Sequence, residues 1–527
     1  MLFGQLFVGR PVPVRHVLAA IGLPLALLLA GCGSLSDAEA EKQAALAEQA
    51  LAQGDAAGAN IAISQAIENR GDDPRLYLLS AKIKVALGNY PDAYEAYQTV
   101  LALDPNNFEA LVSVAVMARS LGDLVRGRDA MYRALAIDPN HIDVLMSKGM
   151  LALQERKYDE GAALAERIIA AHPGDPSGYV LKSRTLTLRG KNAEGLAVLR
   201  DTVETMGNSI MVSTALLEAA RAEGDVATMR EQYALIASEK PNSVELALDE
   251  LNLLYKIGET TAARRAGSEV LRRFGEDAIA MNRLAELWTE YDRDPLGPED
   301  LAALRDGGGQ DARLMVGRFM LENGRLEEAG LMVEGATDPR AAALGARVAL
   351  RQGNVGGAVA ARAILAKDTT SCDALGAVAE YELSQGKLQE SIRQAQLLAS
   401  QCTDRIDGYI LQARAYEAAK RPAAVERVFR DGIEAHPANP EMSRRFVDWL
   451  FAKGRGDAAV SIASKLTKIA GNRASSWRLL GEACKRAERP SCQTRATDGL
   501  AAAKKDYRLE AVADGSAASI LLGRLWD

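Results

Sequence analysis

An apolar residue, a polar residue and a proline close successive blocks of the chain: Leu103-Asp104-Pro105, Ile137-Asp138-Pro139 and Ala171-His172-Pro173. These closings fall 34 residues apart. Proline stops a helix because it has no amide donor and clashes with the preceding turn. The same step continues through Gly207 to Pro241. Glycines keep it as well, at Gly54, Gly88, Gly122, Gly190, Gly224 and Gly258, with Arg156 on one beat. A small residue follows many of these glycines five positions later, as at Ala59, Ala93 and Ala263, and again at Ala329, Ala358 and Ala459. Gly127, Gly161 and Gly195 fill that place in other blocks. The period predicts a stack of helical hairpins. Each hairpin would turn on a left-handed glycine and hold its two helices close at the small residue.

The first block runs from about Glu41, and the array is expected over residues 40–291 and again over 312–504. Between them the step slips at Tyr291-Asp292-Arg293-Asp294-Pro295-Leu296-Gly297-Pro298 and at Gly307-Gly308-Gly309. Residues 292–311 therefore read as a shortened block or a hinge, because prolines and a glycine triplet cannot sustain full helices. The tail, residues 505–527, ends Ile520-Leu521-Leu522-Gly523-Arg524-Leu525-Trp526 and reads as a cap for the last apolar face, or as a docking segment.

The blocks resemble tetratricopeptide repeats. Trp477-Arg478-Leu479-Leu480-Gly481 carries the family's opening signature, although Cys484 stands where an aromatic is usual. Tyr77 with Ala81, Ala93 with Tyr97, Leu111 with Ala115, and Leu145 with Gly149 match further positions, and Tyr179 holds an opening aromatic place. The resemblance implies an all-α, right-handed α-solenoid of about fourteen units, some degenerate. It also implies a concave groove lined by the first helix of each hairpin, which takes protein segments. Counting from each turn places Lys82, Arg119, Met146, Met150, Val180, Arg184, Arg221 and Tyr255 on that face. A mixed basic and apolar groove suits a peptide segment with acidic flanks. The family's Lys, Asn and Arg clamp for chaperone tails is not matched here.

At the start, Arg10 and Arg15 precede the apolar run Val17–Ala30, which is short for a membrane span and suited to a signal segment. Leu29-Ala30-Gly31-Cys32 resembles the lipoprotein box. The resemblance implies a signal peptide over 1–31, lipid on Cys32, and a lipidated tether over 32–39. Each buried methylene would add about 0.8 kcal/mol of anchoring. Gly33 in place of Asp points, by the same resemblance, to an outer-membrane location facing the periplasm.

Composition narrows the function. The net charge of −7 becomes −9 without Arg10 and Arg15, and no basic run occurs, which disfavours nucleic acid. Four cysteines remain besides Cys32, and an even number in an exported chain suggests disulfides. The repeat register selects Cys372–Cys402 and Cys484–Cys492, each closing one hairpin; the alternative is four small buried apolar residues. Three of the four histidines, His141, His172 and His436, fall at turns, and His16 lies in the signal segment. No His-Glu-x-x-His, phosphate-binding loop or Gly-x-Ser-x-Gly occurs, and Gly307–Gly309 reads as a flexible loop. No catalytic residue, metal or cofactor is expected, and a small-molecule substrate is disfavoured. An unrecognised active site around Asp294 and Glu299 is the weakest reading. The expectation is a non-enzymatic lipoprotein scaffold that binds envelope proteins or peptide segments in an export or assembly machine, for polysaccharide or a pilus. The alternative is an adaptor that recruits and regulates cell-wall enzymes.

Overall fold

The computed structural model describes residues 24–507, with side chains from residue 37 onward. Residues 1–23 of the expected signal segment, the side chain of Cys32 and the tail 508–527 lie outside the described residues. The described residues form 28 helices and no strand. They belong to two compact units, residues 1–185 and 186–527.

Unit 1 contains α1 (Pro24–Ala52), α2 (Ala56–Asn69), α3 (Pro74–Ala86), α4 (Tyr90–Leu103), α5 (Phe108–Met117), α6 (Leu124–Ile137), α7 (Ile142–Gln154) and α8 (Tyr158–Ala171). The boundary between the units falls within α9 (Ser177–Leu188). Unit 2 continues with α10 (Asn192–Met206), α11 (Ile210–Glu223), α12 (Val226–Glu239), α13 (Val244–Lys256) and α14 (Thr260–Phe274). Next come α15 (Ala278–Tyr291), α16 (Pro298–Gly307), α17 (Gln310–Glu322), α18 (Leu326–Val333), α19 (Pro339–Arg351) and α20 (Gly356–Leu365). The last helices are α21 (Cys372–Ser384), α22 (Leu388–Gln401), α23 (Asp407–Ala418), α24 (Pro422–Ala435), α25 (Pro440–Ala452), α26 (Gly456–Ile469), α27 (Ala474–Arg486) and α28 (Pro490–Lys504). Taken in pairs, these are the expected stacked hairpins.

A two-residue device makes many of the turns. Gly88 sits at φ +71°, and the next residue, Asn89, accepts the amide of Asp92 as the N-cap of α4. The Asn89 amide in turn donates back to the Lys84 carbonyl at 2.9 Å, closing the end of α3. Asp55, Asp123 and Asp225 repeat the arrangement after Gly54, Gly122 and Gly224. Arg156 holds the same place at φ +60°, without glycine's freedom.

The small residues do what their spacing implies. Ala59, Ala93 and Ala263 are wholly buried. A β-carbon on Gly127 would lie 2.5 Å from that of Ala118, so this pair of helices touches through hydrogen.

Residues 32–39, expected as a tether, lie inside α1. Ala, Leu and Glu dominate 35–52, and their helix propensity carries the helix through. The stretch 292–311, expected as a shortened block or a hinge, holds the short α16 of ten residues, and Leu296, Leu301 and Leu304 belong to one core that runs from Leu248 to Val348. Asp292 takes both arms of Arg264, at 2.7 and 3.1 Å. Gly307–Gly309 is not merely a loose loop. A β-carbon on Gly309 would come 2.5 Å from the Gly275 carbonyl carbon, and the Ala312 amide donates to the Gly275 oxygen at 2.8 Å. The glycines let two backbones meet.

Unit 2 holds two disulfides. Cys372 opens α21 and Cys402 follows α22, with Cα atoms 6.1 Å apart. Cys484 of α27 joins Cys492 of α28, with Cα atoms 5.6 Å apart. Each closes one hairpin. A bridge of this kind contributes about 2–4 kcal/mol by restricting the unfolded chain.

Candidate binding surface

Within unit 2, successive first helices touch from α13 through α23, whereas successive second helices approach each other closely at α14, α16 and α18. The first helices therefore line the inner side of the coil, and α5 meets α7 likewise in unit 1.

In unit 1 the fifth residue of α3, α5 and α7 is Leu78, Val112 and Met146, and the ninth is Lys82, Val116 and Met150. Of these, Leu78, Val112 and Val116 are half-buried and form an apolar inner row. Lys82 is exposed and pairs with Glu109 of the next hairpin at 2.8 Å. Arg119 and Arg184 are half-buried. Arg184 Nη1 lies 3.7 Å from the Met150 sulfur. Burial, then repulsion by Arg184, lowers the pKa of Arg119.

Other residues expected on the groove are not presented to a ligand. Met146 and Met150 are almost wholly buried, and Val180 is fully so. Their side chains fill the layer between neighbouring helices. Arg221 is buried in unit 2, where it pairs with Asp249 and donates to the Tyr233 hydroxyl at 2.7 Å. Tyr255 is buried too, stacked on Tyr291 with centroids 5.3 Å apart. The eight residues thus do not form one surface: six lie in unit 1, and Arg221 and Tyr255 serve the interior of unit 2. At the weakest alternative, Asp294 is tied to Arg325 and Glu299 is exposed at the start of α16.

An ion network that the periodicity does not reveal occupies the inner side of unit 2 from α17 to α23. Arg318 of α17 donates to Asp373 of α21 at 3.0 Å. Arg347 of α19 reaches Asp407 of α23 at 2.8 Å and Glu380 of α21 at 2.8 Å. Arg351 grips both oxygens of Glu380, at 2.6 and 2.7 Å. Arg405 joins Asp373 at 2.9 Å and Asp407 at 2.6 Å. Burial opposes ionisation of Asp373, yet Arg405, Arg318 and Arg347 together hold its carboxyl well below the usual range. Glu322 sits beside this network with its side chain reaching water. Desolvation of its carboxyl among the packed helices, then the Asp407 charge, pushes its pKa up to about 7. Because Arg318–Asp373 and Arg347–Asp407 join hairpins two apart, the inner side is filled here rather than open.

The tetratricopeptide repeat family matches residues 78–142 and 146–208. The fold is a tetratricopeptide-repeat solenoid. Solved structures resemble it in part. MamA is 19% identical, with 32% of this chain and 91% of that one covered, at a TM-score of 0.30. A tetratricopeptide repeat protein from Parabacteroides merdae is 15% identical over 48% and 99%, at 0.41. PilW, a type IV pilus biogenesis factor, is 20% identical over 39% and 96%, at 0.33. No curated protein sequence matches the chain. Repeats of this kind form protein-binding scaffolds, and stacking gives them long surfaces for the purpose.

Proposed function

We propose that the protein is a non-enzymatic scaffold, anchored by lipid on Cys32 at the periplasmic face of the outer membrane. Through the inner face of unit 1 it holds a segment of an envelope protein, within an export or assembly machine. Leu29-Ala30-Gly31-Cys32 supports the anchor. The observation that carries the binding reading is the half-buried apolar row Leu78, Val112 and Val116 on the first helices of unit 1, with the half-buried cations Arg119 and Arg184 in the same unit. An apolar segment with an acidic flank satisfies both features.

The test is crosslinked capture from membranes of three strains: wild type, Cys32→Ser, and Arg119→Glu with Arg184→Glu. The expected result is one envelope protein captured by wild type and lost on charge reversal, with Cys32→Ser releasing the scaffold from the membrane. Capture indifferent to the charge reversal overturns the assigned surface. Membrane retention of the Cys32→Ser chain overturns the anchor.

A further inference from the structure

We infer that unit 2 is latched onto itself by a polar clasp that opens without unfolding any hairpin. The ends of α13 and α15 meet the start of α27 and the residues after α28. Lys256 donates to the carbonyl oxygens of Asn472, at 3.4 Å, and of Asp506. Glu290 accepts the Ser475 amide at 2.8 Å and the Ser475 hydroxyl. Arg478 lies 3.9 Å from Glu290, and Arg473 reaches Glu286 at 3.6 Å. The ring of Tyr507 comes within 3.8 Å of where a β-carbon on Gly224 would stand. The Ser475 and Lys256 contacts span 185 to 250 residues of sequence.

Glu290 has a local reason to bind there. Arg473, the N-cap of α27, makes no side-chain cap hydrogen bond. The Glu290 carboxylate, 6% exposed, accepts an amide of the first turn and opposes the positive end of the helix. A residue from a distant hairpin thus supplies the missing cap.

The clasp differs in kind from the contacts along the coil. Successive hairpins share apolar cores, one running from Leu248 to Val348 and another from Ile392 to Ala496. No residue belongs to both, so neither core crosses the clasp. At the seam lies a cavity of about 200 Å³ whose walls include Glu290, Arg293, Glu441, Arg444 and Arg478. A polar seam with a cavity lacks the close packing of a core. Its hydrogen bonds and ion pairs are exchanged for water on opening, and salt weakens them. Opening therefore leaves both of these cores intact and exposes the ends of α13 and α15 and the start of α27. The inference is independent of the proposed partner and anchor.

The test is backbone amide exchange on the full chain, for wild type and for Glu290→Ala with Lys256→Ala. Wild type is also measured at about 1 M salt, where the Debye length falls to roughly 3 Å. The amides of 474–477 are expected to exchange roughly tenfold faster in the variant and in wild type at high salt. The interiors of α25 and α26 stay protected, and the radius of gyration from solution scattering rises. Unchanged exchange at 474–477 in both arms overturns the clasp. Loss of protection across α25 to α28 together overturns its independence from the fold. If the variant does not retain its helix content, the salt arm on wild type decides alone.

Discussion

The ninth residue of successive first helices is Lys82, Val116 and Met150 in unit 1, and Arg318, Arg347 and Glu380 in the middle of unit 2. The slot is the same, but its chemistry is not. In unit 1 it keeps an apolar lining with cations placed upon it. In unit 2 it feeds a closed set of ion pairs that consumes its own charge. The difference teaches that a repeat's register says which side a residue faces, and that the neighbours decide whether it is offered or spent. A self-satisfied network leaves little charge for a ligand.

The largest expected effect tests that division directly. Asp373→Ala leaves Arg318, Arg347 and Arg405 without a shared carboxylate. Breaking a buried pair in this way costs about 3–5 kcal/mol. The loss should appear in denaturant unfolding and in the amide protection of α17 to α23, with α3 to α8 unchanged. Equal loss in both units would mean that the network is not a device of unit 2. The acid response runs the same way. Asp373, Glu380 and Asp407 have depressed pKa values in the folded chain. Their contribution is therefore complete above the ordinary carboxylate range and is lost as pH falls below about 4. Unit 2 should lose protection in acid before unit 1.

Glu322→Gln should act with the opposite sign. The Glu322 pKa is raised to about 7 in the folded chain. Its favourable share is full below the unfolded value, about 4.5, and declines as pH rises through about 7. Replacing it should stabilise unit 2 at pH 8 by on the order of 1 kcal/mol, after allowance for screening of a side chain that reaches water. At about pH 4 the variant and wild type should unfold together. A stability difference that does not depend on pH would separate Glu322 from the network.

The smallest effect concerns what the units share. Arg156 in unit 1 and Lys420 in unit 2 stand at φ 60° and 55° in equivalent turns. Arg156→Gly and Lys420→Gly should each stabilise by about 1 kcal/mol, read as a rise in melting temperature. Unequal gains would show that the turns, like the inner faces, have diverged.

The hairpins are legible in the sequence because helix stops and small residues must recur wherever the same turn and the same close approach recur. Asp55, Asn89, Asp123 and Asp225 stand in plain view after their glycines, and their capping role can be read from that place. The network is not legible. Arg347 and Asp407 lie 60 residues apart, and each looks like an ordinary surface charge on its own helix. The inner-face count places Arg221 and Tyr255 on the proper helices but cannot see Asp249 or Tyr291 covering them. At 292–311 the prolines that shorten the block are visible in the sequence, while the packing of Leu296, Leu301 and Leu304 is not.

Contacts that skip a hairpin change how the chain tolerates edits to its length. A stack in which each block meets only its neighbours accepts the gain or loss of a whole block, since every new junction repeats an old one. Arg318–Asp373 and Arg347–Asp407 tie together blocks that are not adjacent. Deleting one hairpin between α17 and α23 would strand charges on both sides of the cut. That stretch is committed to its present number of hairpins, whereas a stack free of such ties can be lengthened or shortened by duplication.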